Sequence, residues 1–394
     1  MRLQIRLSDL RAARILVIAA SQCLLFLFCS LSTAGQVTPN VEPGELYAGI
    51  EISTEELRAA AFRISSRGGE PGVRLIHSEV VHLTPGRLLK EKSAPQAVGE
   101  VANIIQVLLS QLEVQHEVPA EHIYLIGSNE LRIESHQDLV DALIKTTGKT
   151  LTFLDTETEV QLSIVGTIPQ RVKVGGRWID NRDSSVLIEI GSDSTMGGYQ
   201  SLKYPPSGPP RYGSVTMKID QGTLSFAGET SLNNEDDDDL PAYLRRVRES
   251  GMASFRLALR KEQERKPGLV SRKRVYLMGD IVWALALLLH PEERQTFIRL
   301  TSSDIARFAR KIAVSPQQPL NLSLSHIRQP KLRAEVESEL EILKNTITPK
   351  QLIAGAEMLR ALSEELKWRD KSLWFARFGH LSRILTYLRL QAEK

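Results

Sequence analysis

The chain of 394 residues is poor in cysteine: it has two, Cys23 and Cys29, and both fall in the first 34 positions. Everything downstream lacks a thiol, which excludes disulfides and cysteine-ligated zinc there. The sequence holds no histidine cluster, no serine-histidine-acid set and no Walker-type phosphate loop. Net charge is scarce too. The formal +3 is matched by residues 1–34, where Arg2, Arg6, Arg11 and Arg14 stand against Asp9, so the remainder is about neutral. A neutral body gives no electrostatic reason for a nucleic-acid partner. The acidic run Asn233–Pro241 lacks the alternating ligands and turn glycine of a calcium loop and reads as a solvated connection.

What is present begins with a leader. Four arginines precede the apolar run "ILVIAASQCLLFLFCS", and "LSTAGQ" follows with Ser32 and Ala34 at the small-x-small positions. This is the pattern of a secretory signal cleaved after Ala34. The alternative is an uncleaved anchor, because 16 mostly apolar residues approach the length of a membrane span. The expected location is therefore periplasmic or extracellular, with contact to a membrane only through an uncleaved N-terminal segment. Neither cysteine follows the small residues of a lipoprotein signal.

With 42% hydrophobic and 25% charged residues, the chain is long enough for two globular domains. After a lead-in at 35–45, "LYAGIEI", "LRAAAFRIS" and "VRLIHSEVVHL" read as strands. A helix over "APQAVGEVANIIQVLLSQLEV", the strand "HIYLIGS", a helix ending at Gly148, the strand "LTFLD" and a helix over "ETEVQLSIVGTI" complete one α/β lobe, placed at 46–168. A break rich in Gly, Arg and Asp follows at about 169–184. The pattern restarts with the strands "SSVLIEIG", "TMGGYQSLKY" and "YGSVTMKID", then a helix from about Tyr243 to Glu264. The basic stretch "RKPGLVSRKR" is expected as a surface loop. The strand "VYLMG", the helix "IVWALALLL" and a helix–strand–helix tail finish a second lobe, placed at 185–394. The repeated opening predicts a duplicated α/β architecture with a cleft between lobes, the default place for a small ligand.

Five stretches then resemble one family. "YAGIEISTEELRAAAFRI" is similar to a first phosphate loop D-[IL]-G-S-N-S with its flanking strands. "IYLIGSNELRIESHQDLVDALIKTTG" is similar to its strand, hydroxyl, arginine and helix. "LTFLDTETEVQLSIVGT" is similar to I-S-G-x-E-E-A-R-L-x-x-x-G, "VLIEIGSDST" to the second loop D-I-G-G-G-S-T, and "ITPKQLIAGAEMLRALSEEL" to the helix that closes the second lobe. Their order resembles the exopolyphosphatase / guanosine pentaphosphate phosphatase (Ppx/GppA) family of the actin-like ATPase superfamily. The resemblance implies two actin-like, ribonuclease H-like lobes and a C-terminal helix that returns to the first. It places the water-activating base on Glu159, Mg²⁺-holding carboxylates on Glu51 and Glu189, and phosphate contacts on Ser128, Arg132, Gly191, Ser194 and Thr195.

The departures fall on the loops. Three family glycines become Gly191-Ser192-Asp193, and "EISTEE" has Ser53 and Glu55 in place of a glycine and an asparagine. Glu55, Glu56 and Asp193 add carboxylates to an anion site. At about 4 Å and an effective dielectric of about 20, each repels a phosphate charge by roughly 4 kcal/mol. Two readings follow. One is an exported, non-catalytic descendant that binds a phosphate-containing ligand, polyphosphate or a protein partner. The other is a Mg²⁺-dependent phosphoanhydride hydrolase with Glu159 as base. The first is preferred, because both loops depart together.

Overall fold

A computed structural model describes residues 44–54, 56–65, 72–82, 94–131, 136–204, 211–231, 239–318 and 320–393. The leader, Glu55, Arg132 and the acidic run 232–238 lie outside the described residues.

The first sheet has five strands in the order β3-β2-β1-β4-β5. They are β1 (Glu45–Ile52), β2 (Leu57–Ser65), β3 (Gly72–Val81), β4 (Ile123–Gly127) and β5 (Leu151–Phe153). The first three pair antiparallel, and β4 and β5 add in parallel. The second sheet, β10-β9-β8-β11-β13-β12, repeats that scheme from β8 (Ser185–Ile190), β9 (Thr195–Lys203), β10 (Arg211–Ile219), β11 (Arg274–Met278) and β13 (Ser372–Ala376). The short β12 (Phe297–Leu300) lies at its edge, antiparallel to β13. The fold is thus a duplicated mixed α/β architecture.

Helices cover both faces of each central strand, which is why β1 and β8 are apolar without alternation. In β1, Ala48, Ile50 and Ile52 pack under α1 (Ala94–Ser110) and α2 (His136–Thr147). The alternate residues Tyr47, Gly49 and Glu51 point to the opposite face. There α3 (Thr156–Thr167) and the last helix pack. The second lobe adds α4 (Thr223–Thr230), α5 (Leu240–Arg246), α6 (Met252–Arg265), α7 (Gly268–Ser271), α8 (Asp280–Leu289), α9 (Ser302–Val314), α10 (Pro330–Thr346) and α11 (Pro349–Glu365). The chain ends in α12 (Ser382–Ala392), which lies on β1 and α3 of the first sheet rather than on the second.

Helix α3 is the wedge between the sheets. Asp155 caps its N-terminus by accepting from the Thr158 N–H at 2.7 Å. Leu162 joins the cluster with Phe62, Ile384 and Leu388, while Val160, Ile164 and Ile168 join Leu187, Tyr276 and Met278 of the second sheet. A helix apolar on two sides is one buried on two sides.

Two expectations change. The break at 169–184 contains a hairpin, β6 (Arg171–Val174) and β7 (Arg177–Asp180), turned by Gly175 and Gly176 at φ 55° and 82°. Paired positive-φ glycines are what a two-residue hairpin turn asks for. The basic stretch 265–274 is not wholly surface: Gly268 and Leu269 are buried, and the Arg272 guanidinium lies over the Tyr199 ring at 3.6 Å and donates to the Gln200 carbonyl at 2.8 Å.

Candidate functional site

The duplication sets the site. Glu51 is the penultimate residue of β1 and Glu189 the penultimate residue of β8, the corresponding strands of the two sheets. Both are buried, at 2% and 8% exposure. Strand alternation turns each away from its own lobe's main core and toward the space under α3 and α12. A buried carboxylate needs a partner, and both find the same one. Arg383, in the first turn of α12, donates from Nε to Glu51 Oε1 at 2.6 Å. It also donates from Nη1 to both Glu189 oxygens at 3.0 and 3.2 Å. Glu51 further faces Arg58, its cross-strand neighbour on β2, at 3.6 Å. Arg58 is in turn paired with Glu56. Burial works against the Arg383 charge, but the fields of Glu189, Glu51 and Glu159 outweigh it and hold the guanidinium more firmly protonated than usual.

Glu159 lies one turn into α3, 3% exposed, and Oε1 accepts the Asn129 N–H at 2.6 Å. Burial raises its pKa from 4.5 to about 7, against the opposing pull of Arg383 and of that N–H. The Arg383 charge thus acts on Glu159 as well as on Glu51, and Asn129, which bonds Glu159, directly follows Ser128 in the chain. The Ser128 side chain is buried at the end of β4, and its hydroxyl oxygen has no hydrogen-bond partner. Among the described residues of this junction, Glu51 Oε2, Arg58 Nη1 and the Ser382 hydroxyl are likewise buried without a hydrogen-bond partner, and such atoms ask for a ligand or a water.

The second loop is built around α4, a helix the sequence reading did not place. The Gly191 carbonyl accepts from Thr223 N–H at 2.9 Å, and the Ser192 carbonyl accepts from Leu224 and Ser225 N–H at 2.8 and 3.1 Å. These are the otherwise unpaired donors of a helix start. The Thr195 hydroxyl donates to the Gln221 carbonyl at 2.8 Å, and the Ser225 hydroxyl to the Asp193 carbonyl at 3.0 Å. The loop is thus held by its own carbonyls against α4.

Two bonds cross between the lobes at the loops. The Thr54 hydroxyl donates to Asp193 Oδ2 at 2.7 Å, and the Ser194 hydroxyl donates to Glu130 Oε1 at 2.8 Å. Burial pushes the Glu130 carboxyl up, and the Ser194 bond and Lys218 oppose the shift.

Glu51, Glu159, Glu189, Ser128, Gly191, Ser194 and Thr195 thus gather around one junction, and Arg132 lies outside the described residues. Arg383 and Arg58 were missed. Arg383 is one of two arginines in the mostly apolar "LSRILTYLRL", with no local mark to set it apart from Arg389, and its partners are 194 and 332 residues away. Magnesium takes several oxygen ligands at about 2.0–2.1 Å. Here Glu51 Oε1 and both Glu189 oxygens are already bonded to a guanidinium, and among the described residues no three acidic, His or Cys side chains are arranged to hold an ion. The arrangement as folded does not fit Mg²⁺.

No protein-family model and no curated protein matches the chain by sequence. Solved structures do. A Ppx/GppA family member from Aquifex aeolicus shares 13% identity over 89% of this chain and 99% of its own, with a TM-score of 0.61. An exopolyphosphatase-like protein shares 15% over 89% and 100%, with a TM-score of 0.59. An exopolyphosphatase from Cytophaga hutchinsonii shares 13% over 88% and 98%, with a TM-score of 0.55. The chain therefore has the actin-like α/β fold in the form taken by the Ppx/GppA structures.

Proposed function

We propose that this chain is an exported protein that keeps the exopolyphosphatase fold without its phosphoanhydride hydrolysis, and that it works by binding a partner. The lobes are taken to meet over the segment 169–184, after the leader 1–34. One observation carries the reading: the two loops that would grip a phosphate between them are bonded to each other, Thr54 to Asp193. A carboxylate there takes the hydroxyl donor and the negative charge that a phosphate oxygen would otherwise bring. With the cleft bridged by this bond, a protein partner on an outer surface is preferred to a phosphorylated small molecule or polyphosphate inside. The neutral body gives nucleic acid no hold.

A specific observation favours a second reading. A buried carboxyl with a pKa of about 7 is what a general base for water needs at neutral pH, and Glu159 has it. The experiment is phosphate release from inorganic polyphosphate and from a guanosine pentaphosphate, by the chain freed of its leader, with Mg²⁺ present. The expected result is no release above background. Release that disappears in Glu159→Gln would replace the first reading by the second.

A further inference from the structure

We propose that the Arg383 guanidinium is the resident cation of this cleft: it joins Glu51 to Glu189 from within the chain and makes closure of the two lobes independent of divalent metal. The proposal rests on the functional reading only in taking the two strand-end carboxylates as the old metal position.

The geometry is that of a counter-ion set by its anions. Arg383 sits at the start of α12, where the helix dipole disfavours a cation. Its place is therefore fixed by the carboxylates and not by its own helix. The two edges of the fork serve two lobes, Nε toward Glu51 on the first sheet and Nη1 toward Glu189 on the second. A planar, weakly hydrated and permanently charged fork suits two carboxylates held at fixed positions, where a lysine ammonium would present a single point charge. Arg58, 3.6 Å from Glu51, adds a second positive charge to the same carboxylate. Two guanidiniums thus supply what one divalent ion would.

Helix α12 is held deep enough to deliver the group. Gly49 on β1 and Gly166 on α3 leave room for it: a Cβ at Gly49 would lie 2.6 Å from Ile384, and one at Gly166 2.5 Å from the Ser382 carbonyl. The Thr386 hydroxyl then donates to the Leu162 carbonyl at 3.0 Å. The cation is carried by an element anchored on the first lobe and reaches into the second, so it crosses the cleft.

The test is the response of folding to metal. Thermal unfolding of the full chain is followed with EDTA, Mg²⁺ or Mn²⁺, and bound Mn²⁺ is read by electron paramagnetic resonance. The wild type should melt at one temperature in all three and hold no Mn²⁺ at Glu51 and Glu189. Arg383→Met should melt lower and recover with Mn²⁺, its affinity rising by at least about tenfold. Adding Glu189→Gln to that variant should remove the recovery. Wild-type Mn²⁺ binding abolished by Glu189→Gln, or an Arg383→Met chain indifferent to Mn²⁺, overturns the proposal. If Arg383→Met does not fold, the wild type and Arg383→Lys decide: indifference of both to EDTA and Mn²⁺ supports it, and an ion bound by the wild type overturns it. Phosphate release by the wild type would sink the proposed function and leave this inference standing, whereas Mn²⁺ in the wild-type site would sink this inference alone.

Discussion

Glu159→Gln is a substitution whose effect on stability should change with pH. The side chain keeps its shape, and its amide oxygen still accepts the Asn129 N–H that now reaches Oε1 at 2.6 Å. Only the ionisation is lost. Burial raises the folded pKa from 4.5 to about 7. A carboxyl shifted upward stabilises the fold fully below its unfolded value and loses that contribution as pH climbs through the folded value. At about 1.4 kcal/mol per pKa unit, the full penalty for keeping Glu159 above neutrality is about 3 kcal/mol. At about pH 5 less than about 1 kcal/mol of it has accrued, and at about pH 8 nearly all of it. The variant should therefore match the wild type near pH 5 and exceed it by about 2–3 kcal/mol near pH 8, since every other titrating group cancels in the comparison. Urea unfolding of both proteins at the two pH values measures this. An equal difference at both would mean that Glu159 does not titrate in this range, and the base reading would lose its main support with it.

Three further outcomes follow from the same geometry. Gly166→Ala puts a Cβ 2.5 Å from both the Ser382 carbonyl and the Thr386 hydroxyl, so α12 must shift; an overpacking loss of about 1–3 kcal/mol in urea unfolding is expected. Thr54→Val removes the 2.7 Å bond to Asp193; a loss of about 1 kcal/mol and faster hydrogen exchange at Gly191–Thr195 are expected. A reporter fused to residues 1–34 should leave the cytoplasm, and a freely soluble chain still beginning at Met1 would contradict export.

The strands and the acids within them were legible because they are local. "LYAGIEI" and "VLIEIG" are apolar runs with one carboxylate each, and burial on two faces gives that pattern. Glycine at 148, with φ 69°, marked a helix end as well. Short or weakly patterned elements were not read. Helix α4 covers "TLSFAGET", eight residues without a sustained apolar stripe, and β12 has four residues. Helix α9 did carry a signal, since Thr301 and Asp304 form a capping box ahead of "IARFARKIA". The Thr54–Asp193 bond, 139 residues apart in sequence, has no local signature at all.

The loop carboxylates bear on the same question as Arg383. Taken alone, Glu56 and Asp193 look like obstacles to an anion. In the folded chain each is matched: Glu56 by Arg58 and by His82 at 3.5 Å, Asp193 by the Thr54 hydroxyl. Burial would push the Glu56 carboxyl up, but the charges of Arg58, His82 and His380 outweigh it, and its pKa falls. Among the described residues, Arg58 and Arg383 are spent in the same way, Arg58 on Glu56 and Glu51, Arg383 on Glu51 and Glu189. An entering polyanion would have to separate these buried pairs, and breaking one by removing a partner costs about 3–5 kcal/mol. A phosphate contact made with an open hydroxyl such as Ser128 returns about 1.5–3 kcal/mol. Among the described residues the balance therefore opposes a phosphate in this cleft, even before the repulsion from Asp193 is added. Among the described residues, the buried donors left without a hydrogen-bond partner here are the Ser128 and Ser382 hydroxyls and Arg58 Nη1, the last already 3.6 Å from Glu51, too little to hold a polyanion against that cost.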